Sequence, residues 1–283
     1  MKKPKPKGAL LAVFGDTHVN STVALCPPRV TKHEGGDHVA SKIQRFIWKA
    51  WLEYWQWIAD ERKRLGWEVI AVGNGDLSDD NYHKTTELIS KHDETIFDLV
   101  RAVMKPALDV ADHFVIIRGT AAHVHLSGAL DERLARDITT IIPHDEDREI
   151  YSWQKWRPKI CGVSFDISHH PGAASRVTQT RGSESIRVAN KIEKAYSRRR
   201  VPYPDVAIRG HNHVPADSYD NQPVRAIIHP SWQAPTDYVN RLGIDDIPPI
   251  GGLLIYCEGG QYEVKKRYTE WPISEVRNPD FIY

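Results

Sequence analysis

Leu10-Leu-Ala-Val-Phe-Gly-Asp-Thr-His18 is an apolar run that stops at a glycine and is followed by a carboxylate and an imidazole two positions apart. The run is short and closed by a turn signal, so it reads as a buried strand rather than a helix. Side chains at i and i+2 of an extended segment point the same way. Asp16 and His18 can therefore reach one point just beyond the strand, a fragment of a metal-binding set. Alone, such a pair is also what a polar turn after a strand looks like, so the rest of the chain must supply the other ligands.

The same punctuation recurs. A strand over Glu68–Val72 runs into Gly73-Asn-Gly-Asp-Leu-Ser-Asp-Asp80, and one over Phe114–Ile117 runs into Arg118-Gly-Thr-Ala-Ala-His123. Lys159–Ile167 leads to Ser168-His-His-Pro171, and Asp205–Ile208 leads to Arg209-Gly-His-Asn-His213. Helices separate the first three. Ile43, Phe46, Ile47, Ala50, Trp51, Tyr54, Trp57 and Ile58 recur at helical steps between Val39 and Leu65, which Gly66 ends. Of the tryptophans at 48, 51, 55 and 57, Trp51 is expected to pack on a sheet rather than stack on bases. A second helix is expected over Thr86–Ala111, kinked or divided at Pro106, and a third after a cap at Ser127. The alternation argues for an α/β layered architecture with its site at the carboxyl ends of the strands. Asn20–Asp37 reads as a long loop, and segments around Val224–His229, Gly251–Cys257 and Tyr262–Arg267 predict a largely antiparallel finish.

Composition narrows the class. With 283 residues, 41% hydrophobic and 27% charged, the chain reads as an ordinary globular protein able to bury a sizeable core. The reading is a basic tail over residues 1–8 and a single domain over 9–283. A net charge of +1 gives no overall bias toward nucleic acid or membrane. Cys26, Cys161 and Cys257 show no paired spacing, which suits a reducing compartment. No membrane span or leader peptide is legible, so the cytoplasm is the default expectation.

Five strand ends thus carry chemistry: Asp16 and His18; Asp76; Thr120 and His123; His169 and His170; His211 and His213. Parallel connections bring such ends to one edge of a sheet. Imidazole with carboxylate suits first-row metals, and the surplus of ligands implies two ions, with Asp76 the natural bridge.

Together, Gly-Asp-x-His at 15–18, Gly-Asp-x-x-Asp at 75–79, a glycine-containing strand end with His at 119–123, His-x-Pro at 169–171 and Gly-His-x-His at 210–213 resemble the calcineurin-like metallophosphoesterase family. The resemblance covers about residues 10 to 215 and implies a four-layer αββα sandwich, two mixed sheets flanked by helices, around two divalent ions (Mn, Fe, Zn or Ni). It implies Asp16, His18, Asp76 and His213 on one ion, and Asp76, His169 and His211 on the other with a ligand from the third strand end. There the chain departs from the family: Gly119-Thr-Ala-Ala-His123 replaces Gly-Asn-His. Thr120, His123 or a water fills the gap, and the variant resembles phage-encoded members.

The implied activity is hydrolysis of a phosphate ester by a hydroxide held between the ions, with His123 assisting the leaving oxygen. Residues 176–200 carry eight Lys/Arg against two Glu and are expected beside the site. Arg176 and Arg181 are the candidates for holding phosphate. The expectation is a phosphodiesterase or nuclease acting on nucleotides or nucleic acid. The alternatives are a phosphomonoesterase, a protein Ser/Thr phosphatase or a non-catalytic metal-binding scaffold.

Overall fold

The run that opens the argument is strand β1 (Gly8–Phe14), and every residue of it is buried. Leu10, Ala12 and Phe14 face one apolar cluster, while Ala9, Leu11 and Val13 face another. A strand covered on both faces needs a continuous apolar run rather than alternation. In this computed structural model the described residues are 7–80, 86–121, 123–124, 128–172, 183–237 and 247–272.

After β1 come β2 (Arg29–Thr31), β3 (Asp37–Val39), α1 (Lys42–Leu65), β4 (Glu68–Asn74), α2 (Asp93–Val110), β5 (His113–Ile117) and α3 (Ala129–Asp137). Then follow β6 (Lys159–Ile160), β7 (Val163–Ile167), α4 (Ser183–Arg199), β8 (Val206–Arg209), β9 (Ala216–Asp217), β10 (Arg225–Ile228), β11 (Ile250–Glu258) and β12 (Gln261–Thr269). One sheet has the order β12-β11-β1-β4-β5, the other β6-β7-β8-β10-β9. Each has a parallel core, β1-β4-β5 or β7-β8-β10, with antiparallel strands at its margins.

Three apolar clusters give the layers. Helices α1, α2 and α3 cover the outer face of the first sheet. Leu11, Val13, Val72, Val115 and Ile117 meet Phe165, Ile167, Val206, Ile208 and Ile227 between the sheets. Val188, Ala189 and Ile192 of α4 cover Ala207 and Ala226 on the far side. The fold is a four-layer αββα sandwich of two mixed sheets. No helix among the described residues is long and apolar enough to cross a membrane.

Local chemistry sets the element ends. Ser41 and Gln44 form a reciprocal capping box at the start of α1, and Gly66 closes it in the left-handed region. Trp51 is fully buried, its ring edge-on to Phe14 at 5.1 Å between centroids.

Several expectations need correction. Helix α2 starts at Asp93 rather than Thr86, because Ile89 and Ser90 donate their N–H groups to Asn20 instead. It runs through Pro106 undivided, its face of Val103, Met104 and Ala107 held in the core. Lys159–Ile167 is two strands joined at Cys161-Gly162, both at positive φ. The loop over Asn20–Asp37 contains β2, paired with β3. Strand β10 runs parallel to β8, so only part of the finish is antiparallel; a four-residue apolar run carries no information about its direction. The cap before α3 is Gly128; Ser127 and residues 1–6 lie outside the described residues.

Candidate metal centre

The first sheet delivers Asp16 and His18 after β1, Asp76 and Asp79 after β4, and Thr120 and His123 after β5. The second delivers His169 and His170 after β7, and His211 and His213 after β8. The backbone there is unusual. Asp16, His18, Asp76, His211 and His213 have φ of 50°, 41°, 47°, 72° and 60°, a region that non-glycine residues enter at a cost. The adjacent glycines are there for space. A Cβ at Gly75 would lie 2.4 Å from the His169 ring, one at Gly119 2.3 Å from Asp76 Oδ1, and one at Gly210 2.7 Å from Asp16 Oδ2.

Asp76 is the hub. Its Oδ1 accepts the Thr120 N–H at 2.5 Å and its Oδ2 accepts the Thr120 hydroxyl at 3.0 Å. His169 Nε2 is 2.9 Å from the same Oδ2, and His211 Nδ1 is 3.7 Å away. His169 donates its Nδ1–H to the Asn74 carbonyl at 2.8 Å, which turns Nε2 inward. Asp16 accepts the His211 N–H at 2.9 Å, and its other oxygen lies 3.4 Å from His213 Nε2 and 3.9 Å from His18 Nε2. His18 Nε2 and His213 Nε2 approach to 3.0 Å. His123 Nδ1 is 2.9 Å from Asp79 Oδ1.

Burial would raise the Asp76 carboxyl, but His169 and its neighbouring donors outweigh it and hold Asp76 well below the usual range. Asp16 is likewise depressed against its burial by His169 and His213. Burial opposes protonation of His169, yet Asp76 and Asp16 push it up to about 9. Burial takes His18 down to about 3, helped by His123 and His213. The donor set fits divalent cations. Asp16, His18 and His213 offer ligand atoms within 4.8 Å of one another, and so do Asp16, Asp76 and His169. His18 Nδ1 and Asn74 Oδ1, both buried, have no hydrogen-bond partner among the described residues.

Asp16, His18, Asp76, Thr120, His123, His169, His211 and His213 are thus brought to one place. Thr120 there acts as a clamp on Asp76. Arg176 and Arg181 lie outside the described residues. Arg187 pairs with Glu184 on α4. Arg198–Arg200 are exposed at the end of α4 that leads into the start of β8, opposite the strand ends bearing the site.

Sequence reasoning missed four participants. Asp79 stood in a quoted motif but had no visible partner. His229 ends β10 as the ligands end theirs, buried with its Nδ1–H on the Pro230 carbonyl at 2.9 Å and Nε2 accepting from Asn74. Asn74, just before the glycine, left no signal. Asp131 accepts the Gly119 N–H at 2.9 Å from α3, a contact visible only in three dimensions.

No family model and no curated protein sequence matches the chain. Among solved structures it is similar to vacuolar protein sorting 29 from Cryptosporidium parvum, with 11% identity over 93% of this chain and 99% of that one, at a TM-score of 0.45. It is also similar to a dimetal phosphatase from Danio rerio, with 10% identity over 93% of this chain and 96% of that one, at a TM-score of 0.44.

Proposed function

We propose that the chain is a divalent-metal-dependent phosphoester hydrolase. The observation that carries this reading is two fully buried carboxylates, Asp16 and Asp76, surrounded by imidazole nitrogens from both sheets. Asp16, His18 and His213 would hold one ion and His169 and His211 the other, with Asp76 shared. When bound, such ions supply Lewis acidity toward phosphoryl oxygens and acidify a water molecule. Asp79 orients His123: burial lowers its pKa, but Asp79 and Asp76 raise it above the ordinary value. His123 is partly open to solvent, placed to protonate a leaving oxygen. Asn74 and His229 hold the inner wall in one tautomeric arrangement.

Within that class the narrower reading is a phosphodiesterase acting on nucleotides or nucleic acid. It is supported by Arg176 and Arg181, which follow His170 closely in sequence. The test is a metal-stripped preparation reloaded with Mn2+, Zn2+ or Ni2+ and assayed on bis(p-nitrophenyl) phosphate, p-nitrophenyl phosphate and a phosphoserine peptide. Metal-dependent turnover, fastest on the diester, is expected. Metal-dependent turnover fastest on a monoester removes the narrower reading, and inertness on all three removes the hydrolase.

A further inference from the structure

The second metal position, as assigned above, has fewer protein ligands than the first. Asp76, His169 and His211 face it, while the Thr120 hydroxyl is committed to Asp76 Oδ2 at 3.0 Å. The first position has Asp16, His18 and His213 with Asp76. A fourth group, His170, stands at the second position, and the proposed function gives it no role. One ring nitrogen each of His169, His170 and His211 lies within 4.8 Å of the other two. The rings are mutually edge-on, with centroids 4.9 Å apart for His169 and His170, 4.6 Å for His170 and His211, and 5.3 Å for His169 and His211. His170 precedes Pro171, which confines its backbone to extended conformations and limits where the ring can go. It is exposed, at the solvent side of the trio.

We propose that His170 is a ligand of the second metal position, completing with Asp76, His169 and His211 a set of three imidazoles and one carboxylate. The inference rests on the metal-dependent reading above. The two positions then differ in kind. The first has two carboxylates and two imidazoles, while the second is nitrogen-rich and favours Zn2+, Co2+ or Ni2+ over Mn2+.

The test is titration of the metal-stripped full chain with Co2+, followed by calorimetry and visible absorption, on wild type and His170→Ala. Wild type is expected to take two equivalents. In the variant the first step is expected to be unchanged and the second weakened at least about tenfold. Repeating the second step with Zn2+ and Mn2+ should show the preference for Zn2+ falling by about tenfold, which loss of a merely structural side chain would not produce. A second Co2+ step with wild-type affinity and spectrum in His170→Ala overturns the proposal. Wild type that binds no Co2+ overturns the functional reading instead. Wild type that binds two but hydrolyses nothing removes the hydrolase and leaves the ligand assignment standing.

Discussion

Buried carboxylates stand in two places, Asp166 within the second sheet and Asp16 with Asp76 at strand ends of the first, and the two surroundings are built on opposite terms. Under α4, Asp166 receives Arg209 Nη2 at 2.5 Å, Arg157 Nε at 2.9 Å and the Tyr196 hydroxyl at 3.3 Å, with Lys155 at 3.6 Å. Its backbone is ordinary strand, and all its partners but the Tyr196 hydroxyl are Lys or Arg. At the strand ends Asp16 and Asp76 are equally buried, but their partners are imidazoles, backbone N–H groups and one hydroxyl, and the backbone is left-handed at both. Burial of a carboxylate is therefore not what marks the site. Imidazole partners that can release a proton and take a cation in its place, held on a strained backbone, are what mark it.

The same chemical change at each cluster should separate them. Asp76→Asn is expected to lower metal-dependent turnover by about a thousandfold or more, the equivalent of several kcal/mol of lost charge stabilisation. It should also abolish the metal-induced rise in stability, worth about 2.7 kcal/mol at a hundred times the dissociation constant. The metal-free variant should lose less stability than metal-free Asp166→Asn, because His169, the buried imidazolium left facing the amide, can release its proton, whereas a buried guanidinium cannot. A metal-free Asp76→Asn that is severely destabilised would break the comparison.

Asp166→Asn should do the reverse. It leaves Arg209, itself buried, facing a neutral amide. Removing one partner of a buried pair costs about 3–5 kcal/mol. Urea unfolding of the metal-free protein reads this loss, while the metal stoichiometry of the folded fraction should stay at the wild-type value. Loss of a metal equivalent would show that the two clusters are not separate.

The contrast also explains what was legible beforehand. The ligands could be read because each group follows a buried apolar strand, with Asp16, Asp76 and His211 directly after a glycine and His169 two residues before a proline. Asp16, Asp76, His169 and His211 are marked by local punctuation, which needs no knowledge of the fold. The αββα layering followed from the family resemblance, whereas alternation alone gave only an α/β architecture. What stayed hidden depends on pairing across space. Asp166 lies in the middle of an apolar strand, and its partner Arg209 is 43 residues away in another. The parallel direction of β10 is set by its neighbour β8, and the break at Cys161-Gly162 by two positive φ angles. His170 and Asp79 were visible as residues, but they meet groups from other strands, His211 and His123.

A third carboxylate grades the comparison. Glu132 on α3 accepts the N–H groups of Tyr151 and Ser152 at 2.9 and 3.0 Å, the Ser152 hydroxyl at 2.5 Å and Arg118 at 3.2 Å. It fastens the strand end that carries Gly119 and Thr120, yet offers no ligand. Burial alone would raise its carboxyl, but Ser152, the two N–H groups and Arg118 outweigh this and take it down to about 2. A carboxyl depressed in the folded state stabilises above its unfolded value of 4.5, and that stabilisation is lost as pH falls toward about 2. Glu132→Gln keeps one acceptor and loses the charge. At pH 7 it should cost about 1–2 kcal/mol, reduced from the full worth of charged hydrogen bonds because the group is partly solvated. At about pH 3.5 the gap from wild type should shrink by about 1 kcal/mol, since the unfolded wild type then binds the proton that the folded state refuses. Urea unfolding of both proteins at the two pH values reads the difference. A gap that ignores pH would mean Glu132 acts through shape alone, and the distinction between permanently paired and cation-ready carboxylates would lose its intermediate case.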